Sequence, residues 1–457
     1  MARTIKSWEA LPLLFQHRGM LSVVEIRQEF GVSQATAFKW LKKLEGQIIR
    51  LGAGRNTRYA LRRAVRNWGS EWIISRMTDL GWISTGAQLQ AVYGGFVLEF
   101  PEAEPPWLKG NYPGGFFSSL PFFLQDLRPQ GFTGRALARQ MMKGISNVPS
   151  DLSRWNDDDI LEFLLTFGGN LPGDLMLSGK QARTHPAFEI INESARPNFY
   201  LAEAERVLSG EVAGSSAGGE QPKFFAKIRG ESGVVREVLV KFSPPRDTAA
   251  GERWADLLAA EEQALRILRD AGLNAAEARV VDAGTRRFLE VTRFDRTQLG
   301  GRRGVLSLEA LLAGLCERSA TTWLEAANAL QTEGLINQDE AATLRRLWCF
   351  GNFIGNTDMH QGNLAFWFGF DLPRPFRLAP VYDMLPMGLA PTAQGELIER
   401  EFTLPAPLSV GIKEWRDPWQ WAIGFWESVQ ADGRISNRFK GQAAKVCHAL
   451  KALGQAG

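Results

Sequence analysis

An aspartate followed five residues later by an asparagine, and 20 residues after that by a second aspartate, is the pattern that most restricts what this 457-residue chain can become. The residues are Asp358 and Asn363, in Gly355-Asn356-Thr357-Asp358-Met359-His360-Gln361-Gly362-Asn363, and Asp383, in Ala379-Pro380-Val381-Tyr382-Asp383-Met384-Leu385. A carboxylate can orient or deprotonate an attacking hydroxyl, and an amide oxygen beside it with a further carboxylate suits hard Mg2+. Asp358 fits the first role, Asn363 and Asp383 the second. His360 admits a rival reading, in which Asp358, His360 and Asp383 are metal ligands of a nuclease. The preferred role for His360 is to brace the loop by hydrogen bonding.

Two earlier pieces give the pattern its direction. Gly214-Ser215-Ser216-Ala217-Gly218-Gly219-Glu220-Gln221-Pro222-Lys223 is a small-residue loop before a strand over 224–228. Glycines there let backbone N–H groups approach phosphates, and serine hydroxyls add donors. Alone, such a run reads as a flexible turn. Val238-Leu239-Val240-Lys241-Phe242 is an apolar strand holding one lysine, and a buried ammonium requires an anionic partner. A helix over about 252–270 offers Glu261 and Glu262. An isolated lysine of this kind reads as an edge-strand residue facing water. In the order loop, Lys241, helix glutamate, Asp358 with Asn363, then Asp383, it matches the functional parts of protein kinases. A metal nuclease accounts for neither the glycine loop nor Lys241.

Charge divides the chain. The net of +3 conceals a segment, residues 1–66, with 13 Lys/Arg against 4 Asp/Glu, while the remainder has 40 against 46. A basic head on a mildly acidic body points to a polyanion-binding module joined to a domain with another task. Helices are predicted over 7–17, 22–30 and 34–44, with Gly31-Val32 as a turn, Ser33 as N-cap, and Phe38, Leu41 and Leu44 facing inward. Strands follow over 47–51 and 57–61. This is a winged helix-turn-helix, whose third helix enters the DNA major groove. The outward candidates are Gln34, Thr36, Ala37, Lys39, Trp40 and Lys43, with Arg55 and Arg58 on the wing. The plainer reading is a three-helix interaction module with a solvated basic face.

Residues 67–200 read as a scaffold that shapes a cleft, with short strands and tight turns over 94–115 and helices over 135–143 and 157–167. His185 there reads as surface or satisfied core. A strand-rich section runs from about 201 to about 296, then helical periodicity covers 306–315, 322–330 and 340–353. Trp415, Trp419, Trp421, Phe425 and Trp426 read as core, not as a ligand box. A 45% hydrophobic, 11% aromatic composition excludes disorder for most of the chain. No window offers 18 consecutive apolar residues or a signal-type apolar run, so no membrane partner is expected. Cys316, Cys349 and Cys447 lack CxxC spacing, giving neither a disulfide framework nor a zinc site, which fits a reducing cytoplasm.

Residues from about 90 to 440 resemble the HipA-like serine/threonine kinases of toxin–antitoxin systems. The resemblance is carried by SSAGGEQPKF (215–224), VLVKF (238–242), LEVTRFDR (289–296), NFIGNTDMHQGNLAF (352–366) and APVYDML (379–385). With the winged helix and LPFFLQDLRPQGF (120–132), the match is nearest the YjjJ (HipH) branch of that family. The resemblance implies an α+β, protein-kinase-like HipA fold with a strand-rich N-terminal part and an all-helical C-terminal lobe, behind the small winged helix-turn-helix. The corresponding domains are 1–66, 67–200 (HipA-type N-terminal subdomain), 201–296 (ATP-binding region) and 297–457 (catalytic lobe).

It further implies ATP and Mg2+ as cofactors. Lys241 contacts ATP phosphates with Glu261 its helix partner, Glu262 being the adjoining alternative. Ser216, Gly218 and Gly219 belong to the ATP loop, and Glu290, Val291 and Thr292 supply hinge contacts to adenine. Asp358 is the catalytic aspartate, and Asn363 and Asp383 bind Mg2+. Ser216 falls at the loop serine that family members autophosphorylate, which expels the loop and switches the kinase off; Ser215 is the fallback. Relatives phosphorylate aminoacyl-tRNA synthetases and use a separate small antitoxin to bind DNA. The fused head sets this chain apart on the antitoxin. Pro222 and Gly362 replace charged residues common at those places, so the protein substrate does not carry over. The expectation is a cytoplasmic protein kinase toxin. The alternatives are a non-catalytic nucleotide-sensing transcription regulator and the metal-dependent nuclease.

Overall fold

The computed structural model describes residues 7–144, 148–178, 189–210, 221–398, 404–405 and 410–455. His185 and the loop residues Ser215, Ser216, Gly218 and Gly219 lie outside the described residues.

The head contains α1 (Leu11–Arg18), β1 (Leu21–Ser22), α2 (Val23–Phe30), α3 (Gln34–Lys43), β2 (Ile48–Leu51) and β3 (Arg58–Leu61), the strands forming an antiparallel sheet in the order β1-β3-β2. Local chemistry sets these boundaries. The Ser22 side chain accepts from the Glu25 N–H while the Glu25 carboxylate accepts from the Ser22 N–H, a reciprocal cap that starts α2. Gly31, at φ 60°, ends it in a left-handed conformation that a Cβ would disfavour, and the Ser33 hydroxyl caps α3.

The inner face of α3 differs from the expected one. Ala37, Trp40 and Leu41 are buried, with Leu44 just beyond, and the Trp40 ring packs edge-on against Phe30 at 5.2 Å. Phe38 is 44% exposed. Trp40 and Ala37 therefore leave the outward set, because positions 37, 40, 41 and 44 fall on one helical stripe and Phe38 falls off it. Gln34, Lys39, Lys43 and Arg55 are exposed; Lys43 lies over the Trp8 ring and Arg58 pairs with Glu25 at 3.6 Å.

Part of the head's positive charge is consumed internally. Arg63 forms a two-pronged pair with Asp158 (2.8 Å on each prong), and Arg66 bonds Asp159 and Glu162. These acids lie on α6 (Asp157–Phe167) of the middle section, so the head is docked against the body. The middle section is a five-stranded antiparallel sheet, order β7-β6-β5-β4-β8, from β4 (Glu71–Met77), β5 (Ile83–Val92), β6 (Gly95–Glu99), β7 (Phe116–Phe117) and β8 (Leu175–Ser178). Trp107, Phe122, Phe123, Phe368 and Phe370 interlock beneath it, joining it to the C-terminal lobe. Between the strands lie α4 (Phe122–Gln125) and α5 (Gly131–Gly144).

A second five-stranded sheet, order β12-β13-β11-β10-β9, carries the lysine strand. Its members are β9 (Ile190–Asn192), β10 (Lys223–Arg229), β11 (Val235–Phe242), β12 (Ala278–Ala283) and β13 (Arg286–Thr292), all antiparallel except the β9–β10 pair. Helix α7 (Arg196–Gly210) packs one face through Tyr200 and Ala204, and α8 (Ala249–Asp270) packs the other through Leu258. The sheet thus recruits β9 and the first turn of α7 from before residue 201.

The C-terminal lobe comprises α9 (Leu308–Leu315), α10 (Trp323–Thr332), α11 (Gln338–Phe353), α12 (Ile412–Ala431) and α13 (Asn437–Gln455), with a small ladder of β14 (Val305–Ser307) and β15 (Ala365–Trp367) at its top. Trp415, Phe425 and Trp426 are core. Between the lobes, Arg293 and Arg296 both bond buried Asp295, and both reach Asn170 of the middle section. Burial alone raises the Asp295 carboxyl; the two guanidinium groups hold it at about 2. No helix of the described residues is long and apolar enough to cross a membrane.

Candidate active site

Strand alternation aims Lys241 at the face covered by α8, and helix α8 brings Glu261 to meet it. Lys241 Nζ lies 2.7 and 2.8 Å from the two Glu261 oxygens and 2.6 Å from Asp383 Oδ1. Glu261 is 0% exposed and Lys241 4%. Glu262, one residue on, faces elsewhere: it accepts from the Val280 N–H and from Arg434. One ammonium between two carboxylates leaves one negative charge in excess. Burial raises the Glu261 carboxyl beyond what Lys241 lowers it. Asp383, which burial alone would raise, is held low by Lys241 and Lys223.

Asp383 adopts φ 52°, one of two non-glycine residues in that region among the described residues. Such a conformation persists only where the surroundings hold it, and it gathers at functional sites. The surroundings here are specific. Asn356, 3% exposed, donates to the Asp383 carbonyl at 3.4 Å while its Oδ1 accepts from the Asp358 N–H at 3.1 Å. Asn363 Nδ2 donates to the Asp358 carbonyl at 2.8 Å, and the Tyr382 hydroxyl donates to the Gly362 carbonyl at 2.9 Å. The two loops are thereby stitched to one another. Partial burial raises the Asp358 carboxyl; the charge of Asp383 adds to this and His360 opposes it.

Lys241, Glu261, Asp358, Asn363 and Asp383 line one cleft of about 1270 Å3, larger than most small-ligand sites, together with Val291 and Thr292. Glu290 is a correction. Its carboxylate accepts from Arg196 at 3.1 Å and from the Tyr200 hydroxyl, on the α7 side of the sheet, because alternation sends Leu289 and Val291 to the α8 side instead. The nuclease triad is a second correction. Among the described residues no group of three His, Cys, Asp or Glu side chains converges to hold a metal, and His360 Nδ1 accepts the Gly362 N–H at 3.0 Å. The donor set that does fit Mg2+ is Asp383 with Asn363. Asn363 spends its amide N–H on the Asp358 carbonyl and keeps a hard oxygen, and Asp383 presents its carboxylate to the same cleft.

Lys223 was not singled out from the sequence. It opens β10 directly across from Lys241 in the antiparallel register and lines the cleft as a second cation acting on Asp383 and Asp358. Its place at the end of the glycine loop was its available signal. Asn356 and Tyr382 were likewise unassigned, although both lie inside the motif runs.

This geometry belongs to a class defined by comparison. Residues 215–452 match the HipA-like C-terminal domain, and residues 68–185 match the middle domain of YjjJ-like toxins. The chain is a member of this HipA-like toxin family. It is 37% identical over 454 residues to Toxin YjjJ of Escherichia coli (strain K12), covering 97% of this chain and 98% of that protein. Its fold is similar to that of the Shewanella oneidensis MR-1 toxin HipA, solved with HipB and operator DNA, at a TM-score of 0.56 and 16% identity over 83% of this chain and 96% of that one.

Proposed function

We propose that the chain is an ATP- and Mg2+-dependent serine/threonine protein kinase whose head binds DNA. The observation that carries this reading is the buried Lys241–Glu261 pair facing Asp383 across a cleft that also holds Asp358 and Asn363. Phosphoryl transfer asks a protein for positioning and charge. Glu261 fixes the Lys241 ammonium where it can bond ATP phosphates, and Lys223 adds a second cation at the same mouth. Asp358, held by Asn356 and Asn363 through its backbone, accepts the hydrogen of the acceptor hydroxyl. Val291 and Thr292 border the adenine position. Asp383 and Asn363 would hold Mg2+, which when bound neutralises charge on the transferring phosphoryl group.

Ser216, with Ser215 as fallback, is the proposed self-phosphorylated residue, by resemblance to the family. The proposed acceptor in the cell is a protein of the class such kinases use, an aminoacyl-tRNA synthetase among them. Three helices with a hairpin, and exposed Gln34, Lys39, Lys43 and Arg55, support a fused DNA-binding head, with Thr36 and Arg58 beside them. The HipA toxin of similar fold is assembled with HipB and operator DNA. In this chain the head takes over DNA contact, and a separate antitoxin is a further partner. The three cysteines are free, which accords with a cytoplasmic site of action. The test is incorporation of γ-labelled phosphate into protein. The reading expects Mg2+-dependent incorporation by the wild type and none by Asp358→Asn. ATP bound without transfer by the wild type would favour the nucleotide-sensing regulator instead.

A further inference from the structure

Behind the segment joining the two lobes lies a second cavity, of about 500 Å3, that contains none of Lys241, Glu261, Asp358, Asn363 and Asp383. Its walls are the start of β11, the turn after α8, and residues 292–298, with Trp367 of β15 closing one side. Five arginines line it, Arg236, Arg269, Arg293, Arg296 and Arg303, against two carboxylates, Glu237 and Glu277. Arg293 and Arg296 are committed to Asp295, and Arg303 pairs weakly with exposed Asp79 at 3.2 Å while lying over the Trp367 ring. Phe294 meets Trp367 edge-on at 5.9 Å. Thr292, Arg293 and Phe294 separate this cavity from the catalytic cleft and border both.

We infer that this cavity is a second site for a nucleotide-class anion, a phosphorylated ligand bearing a flat ring. The volume falls within the range of small-ligand sites. Guanidinium forks match phosphate oxygens, aromatic walls accept a ring by stacking, and Glu277 can take hydrogen bonds from ring amines or sugar hydroxyls, Glu237 being paired with Lys227 at 2.8 Å and Arg296 at 3.3 Å. The local field favours an anion as well. Five guanidinium groups stand against the carboxylates Glu237 and Glu277 of the lining and the partners Asp295 and Asp79, which leaves positive charge in excess. The inference stands apart from the kinase reading, since the arginines and Trp367 it relies on for the ligand have no role in phosphoryl transfer, and only the dividing wall of Thr292, Arg293 and Phe294 is shared.

The experiment is equilibrium dialysis of the full chain with ADP and Mg2+ at near-physiological salt, counting sites per chain. Two variants close the cavity differently. Arg236→Glu with Arg303→Glu inverts its charge, and Asn274→Trp fills it from an exposed position. Melting curves confirm folding, and either variant alone suffices if the other fails to fold. The wild type is expected to bind two ADP, and each variant one, with at least a tenfold loss at the second site. Two sites kept by both variants, or one wild-type site that both keep, overturns the inference. One wild-type site that both lose upholds it and removes the cleft reading instead.

Discussion

Lys241→Met tests the buried trio at its centre. The substitution preserves length and removes the charge, leaving Glu261, 0% exposed, without the ammonium that now touches both its oxygens at 2.7 and 2.8 Å. Removing one partner of such a pair costs about 3–5 kcal/mol, because the remaining charge is buried uncompensated. The carboxylate can avoid that cost by keeping its proton, so the loss depends on pH. In wild type burial already holds the folded Glu261 carboxyl above its unfolded value near 4.3, and without Lys241 it rises further, so the gap between the two proteins reads that further rise. A group raised on folding contributes stability that is fully present below the unfolded pKa and is lost as pH rises toward the folded one. The slope is about 1.4 kcal/mol per pH unit, and the loss levels off once the folded pKa is passed. Relative to wild type, Lys241→Met should therefore be mildly destabilised at pH 5 and lose a further 3 kcal/mol or so by pH 8. At roughly 1 °C per kcal/mol for a chain of 457 residues this widens the gap in melting temperature by about 3 °C. Lys241→Met with Glu261→Gln leaves Asp383 as the one carboxyl of the trio, still facing Lys223, so its gap should slope less steeply than that of Lys241→Met. A gap of Lys241→Met that ignores pH, or a double variant that follows the same slope, refutes the reasoning.

Three further outcomes follow from other parts of the molecule. Asp295→Asn should cost about 2 kcal/mol at pH 7, since the carboxylate is held near 2 against an unfolded value near 3.8. Its folded pKa is depressed, so that stability is present above the unfolded value and disappears as pH falls toward 2; an acid melting series in which the wild-type advantage persists at pH 2 contradicts this. Trp40→Ala should destabilise the head by about 3–5 kcal/mol through loss of a core ring, whereas Lys39→Ala should leave melting unchanged. Lys43→Ala with Arg55→Ala should flatten the dependence of DNA affinity on salt by about 0.9 in log–log slope for each lost phosphate contact, as read by fluorescence anisotropy from 50 to 200 mM salt. An unchanged slope means these residues do not meet the DNA backbone.

Much of this site was readable from residue order, because each member carries a local reason for its place. A lysine in Val238–Phe242 had to find an anion, and helical spacing on α8 left two candidates. The choice of Glu261 over Glu262 was decided by tertiary contacts, Arg434 and the Val280 N–H drawing Glu262 away. Strand phase explains Glu290. Alternation says that neighbours point to opposite faces but not which face becomes the cleft, and that depended on where α7 and α8 dock. On α3, Ala37, Phe38, Trp40 and Leu41 offer apolar side chains on two overlapping stripes. Only contact with Phe30 selects between Phe38 and Trp40. The basic excess of residues 1–66 was legible, yet its outward share was not. Arg63 and Arg66 pair with acids about 95 residues away, Asp158, Asp159 and Glu162. Lys223 stayed hidden because its meaning comes from facing Lys241 across a register that only the folded sheet defines.

The central claim is that Asp358 directs transfer of the ATP γ-phosphoryl group to a hydroxyl, beginning with the chain's own loop. The most direct measurement is mass spectrometry of the peptide spanning Ser215 and Ser216 after incubation of the full chain with ATP and Mg2+, beside the Asp358→Asn variant. The account predicts one phosphoryl group on Ser216, or on Ser215 as fallback, in the wild type and an unmodified peptide in the variant. Equal phosphorylation in both, or an unmodified wild-type peptide with no phosphate on any other protein offered, contradicts it.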